Sequence, residues 1–464
     1  MPAFRTAPLA LLALAIQAHA VTLSPGGEGQ VLLYPLYSTE AGNDTQVHIT
    51  NGSDDYKAMR VRILEGMNSR PVLSFNLYLQ PHDVWTGALV RSAGGAKLVS
   101  ADSSCTLPRI ERNGLDLSPA AYQGNDYAAG QGGPQGEART RLGHVEVIEM
   151  GVLPADLTLT GALPNAQVAV ALDDGGRSAE SCTALRAAFE PGGVWERDTG
   201  AGVLPASGGL YGTATLINVG KGNEDGFNAV ALEGFWAAGA RQHTRPESAL
   251  PSLDSGTTDV VFPDGAKTRF DRGVDAVSAL LATPWLKNDY ASGAGLNAET
   301  DWVVTYPTKS FYVTPALSGS SQARAPFSHG WNSSRGGSAC DRLGFAAYDR
   351  IGHGVGPAGA LELCWATNVV SLNASEIVGR GGIGLALADE RYQAGWLRLD
   401  QDPKDYRLLS ATGRSVYGLP AIGFAVVRIQ NGDVGGLLSN YSAAWPHKTS
   451  RKLSSSGGGD GTGH

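Results

Sequence analysis

Charge is scarce in this 464-residue chain, in which Asp, Glu, Lys and Arg together make up 17% of the residues and the formal net charge is −8. Nucleic-acid-binding surfaces need clustered Lys and Arg, so no nucleic-acid partner is expected. Helical bundles and coiled coils are also rich in charged residues, which argues against both. Glycine, by contrast, is abundant, with 62 residues. Few charges and many glycines are typical of a β protein with many turns.

Long apolar runs are missing from the chain after its N-terminal segment, so no transmembrane helix is expected there. Met1–Ala20 has the three parts of a signal peptide. Arg5 supplies the positive charge, Ala7–Ile16 is a short apolar run, and Ala18-His19-Ala20 is an A-x-A cleavage site. The sequence therefore predicts an exported chain that begins at Val21 and resides at the cell surface, in the periplasm or outside the cell.

Cysteine is rare, and its four copies lie two in each half of the chain: Cys105, Cys182, Cys340 and Cys364. No pair has C-x-x-C spacing and no histidine stands nearby at ligand spacing, which argues against zinc. An even number of cysteines in an exported chain indicates disulfides. Three pairings can be drawn, and we predict Cys105–Cys182 with Cys340–Cys364 because these close the shorter loops. Each disulfide should contribute ~2–4 kcal/mol.

Catalytic signatures are missing as well. The chain has no G-x-S-x-G, no H-E-x-x-H, no S-x-x-K with its partner motifs and no EF-hand loop. His82 follows Pro81 in a turn, and nothing in the sequence brings a nucleophile to it. We therefore assign no catalytic residue and no cofactor, and we favour a non-enzymatic protein.

Paired carboxylates occur in two turns, Asp54-Asp55 and Asp173-Asp174. Turns favour Asp because its carboxylate bonds to nearby main-chain amides, and this needs no metal. A structural Ca²⁺ bound in one of these turns is the alternative. No set of metal ligands is assigned.

Alternation of apolar and polar residues is most regular in Gly29–Val90. Thr45–Thr50, Ala58–Leu64 and Leu73–Leu79 each place apolar side chains at every second position, as half-buried strands do. Asn51-Gly52 opens a polar turn between the first two of them. The sequence therefore predicts a mainly β fold with two immunoglobulin-like antiparallel β-sandwich domains, long loops and one or two short helices.

The chain is too long for one compact sandwich, so it should divide into domains. After the signal peptide we predict a first β-sandwich domain at 21–205, a second at 206–448 and a disordered, Ser- and Gly-rich tail at 449–464. In the second domain, Val274–Ala282 has apolar residues at helical spacing and predicts a short helix.

Two segments of the chain resemble each other. In Val47–Gly66 and in Ala214–Gly234, an apolar strand ends near an Asn, a polar turn follows, and a second strand closes on Leu-Glu-Gly. Such a match is expected from a duplicated sandwich, and it is also short enough to arise by coincidence.

Gly143–Met150 is a strong strand that carries His144, Glu146 and Glu149. His144 and Glu146 share one face, which could form a metal or acid/base cluster. The alternative is the solvated face of an edge strand, and we favour it because such a pattern on one strand recurs by chance.

Trp331 is the best candidate for an exposed, ligand-binding aromatic residue, because it lies in a loop between Gly330 and Asn332. An exposed indole could stack on a sugar ring. Most tryptophans instead lie in a core with the indole N–H hydrogen-bonded, and this structural role is favoured for Trp331 too.

Several segments are similar to those of a group of proteobacterial exported proteins described as cell-surface or surface-layer-like. They are Leu32–Tyr37, Glu65–Arg70, Phe75–Leu79, Asp83–Leu89, Gly143–Gly151, Trp302–Lys309 and Gly423-Phe424. The resemblance covers most of the chain after the signal peptide. It implies an envelope or extracellular location and brings no catalytic residues with it.

Two functions follow as hypotheses. The first is a non-enzymatic surface protein with a structural or binding role at the envelope, whose partner is an unidentified envelope or extracellular molecule or a second copy of the chain. The second is a secreted protein that acts on glycans or other polymers, as a hydrolase or a binding module. A pocket with two carboxylates would favour the hydrolase, a flat aromatic strip would favour binding, and an unpaired strand edge would favour the structural role.

Overall fold

The computed structural model describes residues 20–123, 135–161, 165–173, 179–240, 242–293, 295–332, 337–354, 359–379, 383–387, 393–401 and 406–454. The predicted signal peptide, apart from Ala20, lies outside these residues, and so does the predicted tail from 455 onward.

The protein is mainly β, as the sequence predicts, with 47% of residues in strands and 10% in helices. Its N-terminal half contains β1 (Thr22–Leu23), β2 (Val31–Ser38), β3 (Asp44–Asn51), β4 (Tyr56–Glu65), β5 (Pro71–Leu79), β6 (Val84–Arg91), β7 (Ala96–Val99), β8 (Cys105–Leu107), β9 (Leu115–Asp116), β10 (Leu142–Leu153), β11 (Thr158–Leu159) and β12 (Ala166–Gln167).

The strands after residue 205 are β13 (Leu210–Asn218), β14 (Asn223–Asn228), β15 (Val230–Glu233), β16 (Asp259–Val261), β17 (Lys267–Arg269), β18 (Ala282–Thr283), β19 (Trp285–Ala291), β20 (Ala298–Thr305), β21 (Asp341–Asp349), β22 (Gly359–Leu363), β23 (Thr367–Leu372), β24 (Ile383–Leu385), β25 (Ala394–Asp400), β26 (Arg407–Leu409), β27 (Ser415–Tyr417), β28 (Leu419–Pro420), β29 (Ile422–Val434) and β30 (Leu437–Pro446).

Helices are short, and there are more of them than the one or two predicted. The α-helices are α1 (Val168–Asp173), α2 (Ala179–Ala187), α3 (Gly273–Leu281), α4 (Ser310–Val313) and α5 (Pro315–Ser318), and Pro119–Tyr122 and Glu137–Arg141 form 3₁₀ turns. Helix α3 confirms the helix predicted at Val274–Ala282. No helix in the described ranges is long and apolar enough to cross a membrane.

Two large sheets form the N-terminal part of the molecule. One has the order β1-β15-β2-β10-β4-β5-β8 and the other the order β14-β13-β3-β6-β7-β9. Their facing side chains, such as Leu32 and Val147 on the first sheet and Val47 and Trp85 on the second, form one buried apolar cluster, which we call the first core. Alternation along each strand places these residues on the same face.

Strands from the two sides of residue 205, where the sequence predicts a domain boundary, are hydrogen-bonded to each other. Strand β13 pairs with β3 from Leu210 opposite Asn51 to Ile217 opposite Asp44, and β15 pairs with β2. Ala214 lies directly opposite Val47. The two similar segments therefore add strands to the same pair of sheets, rather than each beginning a sandwich of its own.

The C-terminal part contains a five-stranded sheet, β24-β23-β20-β29-β30, and a four-stranded sheet, β19-β25-β21-β22. The centre of the five-stranded sheet, β20 with β23, is buried on both faces. Val303 and Phe424 belong to the first core, whereas Trp302 and Val304 belong to a second core that also contains helix α3 and the four-stranded sheet. Apolar residues therefore follow one another without alternation in β20, as expected for a strand covered on two sides.

Both predicted disulfides are present. Cys105–Cys182 links β8 to α2, and Cys340–Cys364 links residues beside β21 and β22. The first disulfide lies in a third, smaller core that includes Tyr78 and Trp195.

Residues 449–454 of the predicted disordered tail are hydrogen-bonded to the rest of the chain. The amide of Tyr417 donates to the carbonyl of Lys452 at 3.0 Å, and the amide of Ser454 donates to the carbonyl of Ser415 at 2.9 Å. This part of the predicted tail therefore lies against the rest of the chain.

Candidate functional site

Strand β10 carries the titratable cluster that the sequence singles out, and it lies inside the seven-stranded sheet between β2 and β4. His144, Glu146 and Glu149 are all buried. The favoured interpretation, the solvated face of an edge strand, is therefore wrong on both counts. Burial does not support the acid/base alternative either, because a substrate cannot reach buried side chains.

His144 and Glu146 each have their own partner. His144 Nδ1 lies 3.1 Å from Thr367 Oγ1, and Arg62 donates to Glu146 Oε2 at 2.7 Å. Burial lowers the pKa of His144 to about 3, which keeps its imidazole neutral. Burial raises the pKa of Glu146, and the Arg62 charge opposes that rise. His144 and Glu146 therefore belong to two separate polar contacts, one with Thr367 and one with Arg62.

Glu149 forms a fully buried ion pair with Lys57. Lys57 Nζ donates to Glu149 Oε1 at 2.7 Å and to the carbonyl of Gly208 at 2.8 Å. The carboxylate also accepts from the main-chain amides of Ser207 and Gly208, at 3.0 and 2.8 Å. Burial raises the pKa of Glu149, against the effect of Lys57 and the two amides. The pair joins β4 and β10 to the segment that leads into β13.

A second buried ion pair joins the two parts of the molecule. Arg428 on β29 donates through Nε and Nη2 to Asp225 Oδ2 on β14, at 2.8 and 2.6 Å, and both side chains are completely buried. Ser442 Oγ on β30 also donates to Asp225. Nearby, the rings of Phe227 and Phe424 stack with centroids 4.5 Å apart. These contacts fix strands β29 and β30 against β14.

His82, Asp54 and Asp55 lie in the turns between β5 and β6 and between β3 and β4, whereas Asp173 is the last residue of α1. His82 Nε2 lies 2.8 Å from Asp54 Oδ1 in an exposed pair. Asp55 Oδ2 accepts from Ser207 Oγ at 2.8 Å. Asp174 of the other carboxylate pair lies outside the described residues.

In the described ranges, one group of residues has spacing suited to a metal: Cys340, Glu362 and Cys364, whose ligand atoms lie within 4.8 Å of one another. The two sulfur atoms are bonded to each other. While the disulfide is intact, the group therefore offers one carboxylate and no thiolate.

Trp331 is buried, at 6% exposure, and belongs to the second core. The guanidinium of Arg139 lies 5.7 Å from its ring centroid. The exposed indole that a ligand-binding role requires is not found, whereas the alternative of a structural tryptophan agrees with this position.

Five of the exposed large hydrophobic residues in the described ranges lie together on β29 and β30. The two strands form a hairpin around Gly435-Gly436, whose φ angles are +65° and +85°, as a tight turn with two left-handed residues needs. We call this hairpin, with its free strand β30, the hairpin edge. Its exposed side chains are Val434 (56%), Leu437 (72%), Leu438 (64%), Tyr441 (62%) and Trp445 (48%).

Strand β30 is the last strand of the five-stranded sheet, and no other strand in the described ranges pairs with its outer side. Its ten residues, LLSNYSAAWP, contain no charge. Natural edge strands are usually protected from pairing by charged residues, bulges or short length. A long, uncharged and apolar edge is therefore a surface suited to strand addition.

Sequence reasoning missed the hairpin edge, although a signal was present. Two glycines separate strand β29, whose first half is apolar, from the uncharged run that begins at Leu437. A Gly-Gly pair between two such strands predicts a hairpin. The sequence selected Trp331 because of its loop, but the exposed tryptophan of this region is Trp445.

Comparison of the chain with protein-family models, with curated proteins and with solved structures gives no match.

Proposed function

We propose that this is a non-enzymatic, exported cell-surface protein that acts at the envelope by binding an extended polypeptide strand along the hairpin edge. One observation carries the proposal: β30 is a ten-residue edge strand without charge that exposes Leu437, Leu438 and Tyr441. Main-chain N–H and C=O groups on a free edge supply affinity for a strand, and the exposed side chains supply contact area.

Other features support this assignment. Two disulfides suit an exported protein, and the resemblance to surface-layer-like proteins points to the envelope. The titratable cluster on β10 is buried and occupied by partners within the chain, so it does not favour a hydrolase.

Glycan binding is the second candidate function, and it has an observation of its own. Tyr348 and Trp396 stack on the four-stranded sheet with centroids 4.1 Å apart. On the adjacent strand β19, Lys287 Nζ lies 4.2 Å from the ring centroid of Trp285. A strip of half-exposed rings and cations on a flat sheet can stack on sugar rings, which favours a binding module over a hydrolase.

For the fold we further propose that the seven- and six-stranded sheets form an immunoglobulin-like sandwich enlarged by β13, β14 and β15. The shared first core between the two sheets supports this.

Cell fractionation tests the function. The full chain is produced in a Gram-negative host, and its distribution is compared with those of Leu438→Lys and Leu409→Lys. Leu438 and Leu409 have nearly equal exposure, 64% and 65%, but Leu409 lies on β26, in a different sheet from the hairpin. We expect the parent chain and Leu409→Lys at the surface of intact cells, accessible to protease, and Leu438→Lys released into the medium.

Retention of both variants to the same extent would contradict binding through the hairpin edge. Recovery of the parent chain from the cytoplasm would contradict the surface location.

A further inference from the structure

We infer that the strand received by the hairpin edge is β30 of a second copy of this chain, so that two molecules join by antiparallel β30–β30 pairing around a two-fold axis. This inference rests on the proposed function and names its partner. A two-fold interface uses one surface patch twice, so a single strand can supply both sides of it.

The outer side of β30 is open to such a partner. Two side chains on one face of β30 bond to β14 and to the turn before it: Asn440 Nδ2 donates to the carbonyl of Lys221 at 2.6 Å, and Ser442 Oγ donates to Asp225. At the C-terminal end, Asn288 Nδ2 donates to the carbonyl of Trp445 at 2.9 Å. Among the described residues, no strand pairs with the outer side of β30.

Charge favours the second copy. The chain carries a net charge of −8, so two copies repel each other across most surfaces. Strand β30 contains no charged residue. On β29, Arg428 is buried and neutralised by Asp225, and Asp433 lies opposite Leu438, one strand away from the partner copy. Two copies can therefore meet along β30 without placing like charges opposite each other.

The pairing register follows from two constraints. Directly opposed residues of an antiparallel pair lie on the same face of the sheet. The two-fold axis must therefore lie between the two copies of one residue, so that this residue is opposite its own copy. Pro446 has no N–H and is poorly suited to a ladder. An axis at Tyr441 pairs residues 437 to 445 with their copies and leaves Pro446 outside.

In this register Tyr441 faces its own copy, and Leu437 faces Trp445 of the second copy. All three residues are exposed in the single chain, so the pairing covers the largest side chains of the hairpin edge. The arrangement joins two five-stranded sheets into one continuous sheet.

The first experiment measures mass in solution. Light scattering after size-exclusion chromatography of the mature chain should give twice the monomer mass. Leu438→Lys should weaken the dimer by about tenfold or more, because it adds two like charges to the interface. Leu409→Lys should leave it unchanged.

The second experiment tests the register. The four native cysteines are consumed in two disulfides, so a new thiol reports without background. Opposed residues near the axis have Cα atoms about 4.5–5.5 Å apart, within disulfide range. Mild oxidation of Tyr441→Cys should therefore give a covalent dimer on a non-reducing gel, and Leu409→Cys should not.

A monomeric mature chain at tens of micromolar concentration overturns the inference. If Leu438 is still needed for retention at the cell surface, the proposed function survives with a different strand as partner. A dimer that ignores Leu438→Lys and gives no cross-link at position 441 also overturns the inference, because it places the interface elsewhere.

Discussion

Arg428 is a charged residue that is fully buried. The free-energy cost of removing its charge from water is offset by the carboxylate of Asp225 on β14 and by hydrogen bonds. Arg428 has two short hydrogen bonds to Asp225, while Asn43 Oδ1 lies 3.4 Å from its guanidinium. Removing one member of such a pair leaves the other charge buried without a partner.

We predict that Arg428→Met destabilises the folded chain by about 3–5 kcal/mol, because Asp225 is left as an uncompensated buried charge. Urea unfolding followed by circular dichroism measures the change. Arg269→Met is the matched control: it breaks the bidentate pair with Asp259, in which the arginine is exposed, and it should shift the midpoint little. Equal shifts for the two variants would show that burial of the Arg428 pair adds nothing.

At the residue scale, the sequence predicts the disulfides and the mainly structural role of tryptophan, but not which polar residues are buried. Arg60 on β4 alternates with apolar residues and looks solvent-facing, yet it is buried and donates to the carbonyl of Pro246 at 2.6 Å. Its cover comes from a segment 186 residues away in the chain, and local alternation carries no information about such a contact.

The β29–β30 hairpin depends on its turn. Gly435 and Gly436 both have φ in the left-handed region, which costs other residues about 1–2 kcal/mol each and β-branched residues more. A substitution there should therefore open the hairpin before it affects the cores.

We predict that Gly436→Val lowers the protection of β30 amides against hydrogen exchange by about fivefold or more, because 1–2 kcal/mol of turn strain favours the open hairpin. Gly226→Val on β14 is the control, since an added Cβ there meets nothing within 4 Å and its φ is not left-handed. Unchanged exchange in β30 would mean that the turn does not limit hairpin opening.

At the element scale, period-two alternation locates strands well. The segments Thr45–Thr50 and Leu73–Leu79 are found within β3 and β5. Alternation does not identify a strand's neighbours. It could not show that β13 pairs with β3 or that β10 is central, because sheet order depends on contacts between distant segments.

The two halves of the molecule share their cores. Val303 and Phe424 of the C-terminal part lie in the first core, and Val31 and Ile148 of the N-terminal part lie in the second. Shared burial couples the stability of the two parts, so neither should persist when the other unfolds.

We predict a single unfolding transition for the whole chain. Phe424→Ala should destabilise it by about 3–5 kcal/mol and lower the urea midpoint equally in both halves, because Phe424 packs against Phe227 across the shared core. Pulsed hydrogen exchange with mass spectrometry follows peptides from each half. Two separated transitions, with only the C-terminal one shifted, would instead support independent domains at 21–205 and 206–448.

Burial of β20 on both faces also limits which changes of sequence this chain can accept. In β20, Trp302 and Val304 point into one core and Val303 into the other. Inserting or deleting one residue in this strand would move each following side chain from one core to the other. Both faces of the strand are packed, so neither core could accept the exchanged side chains without repacking. Related chains should therefore vary in length within their loops and at the hairpin tip, while β20 keeps a fixed length.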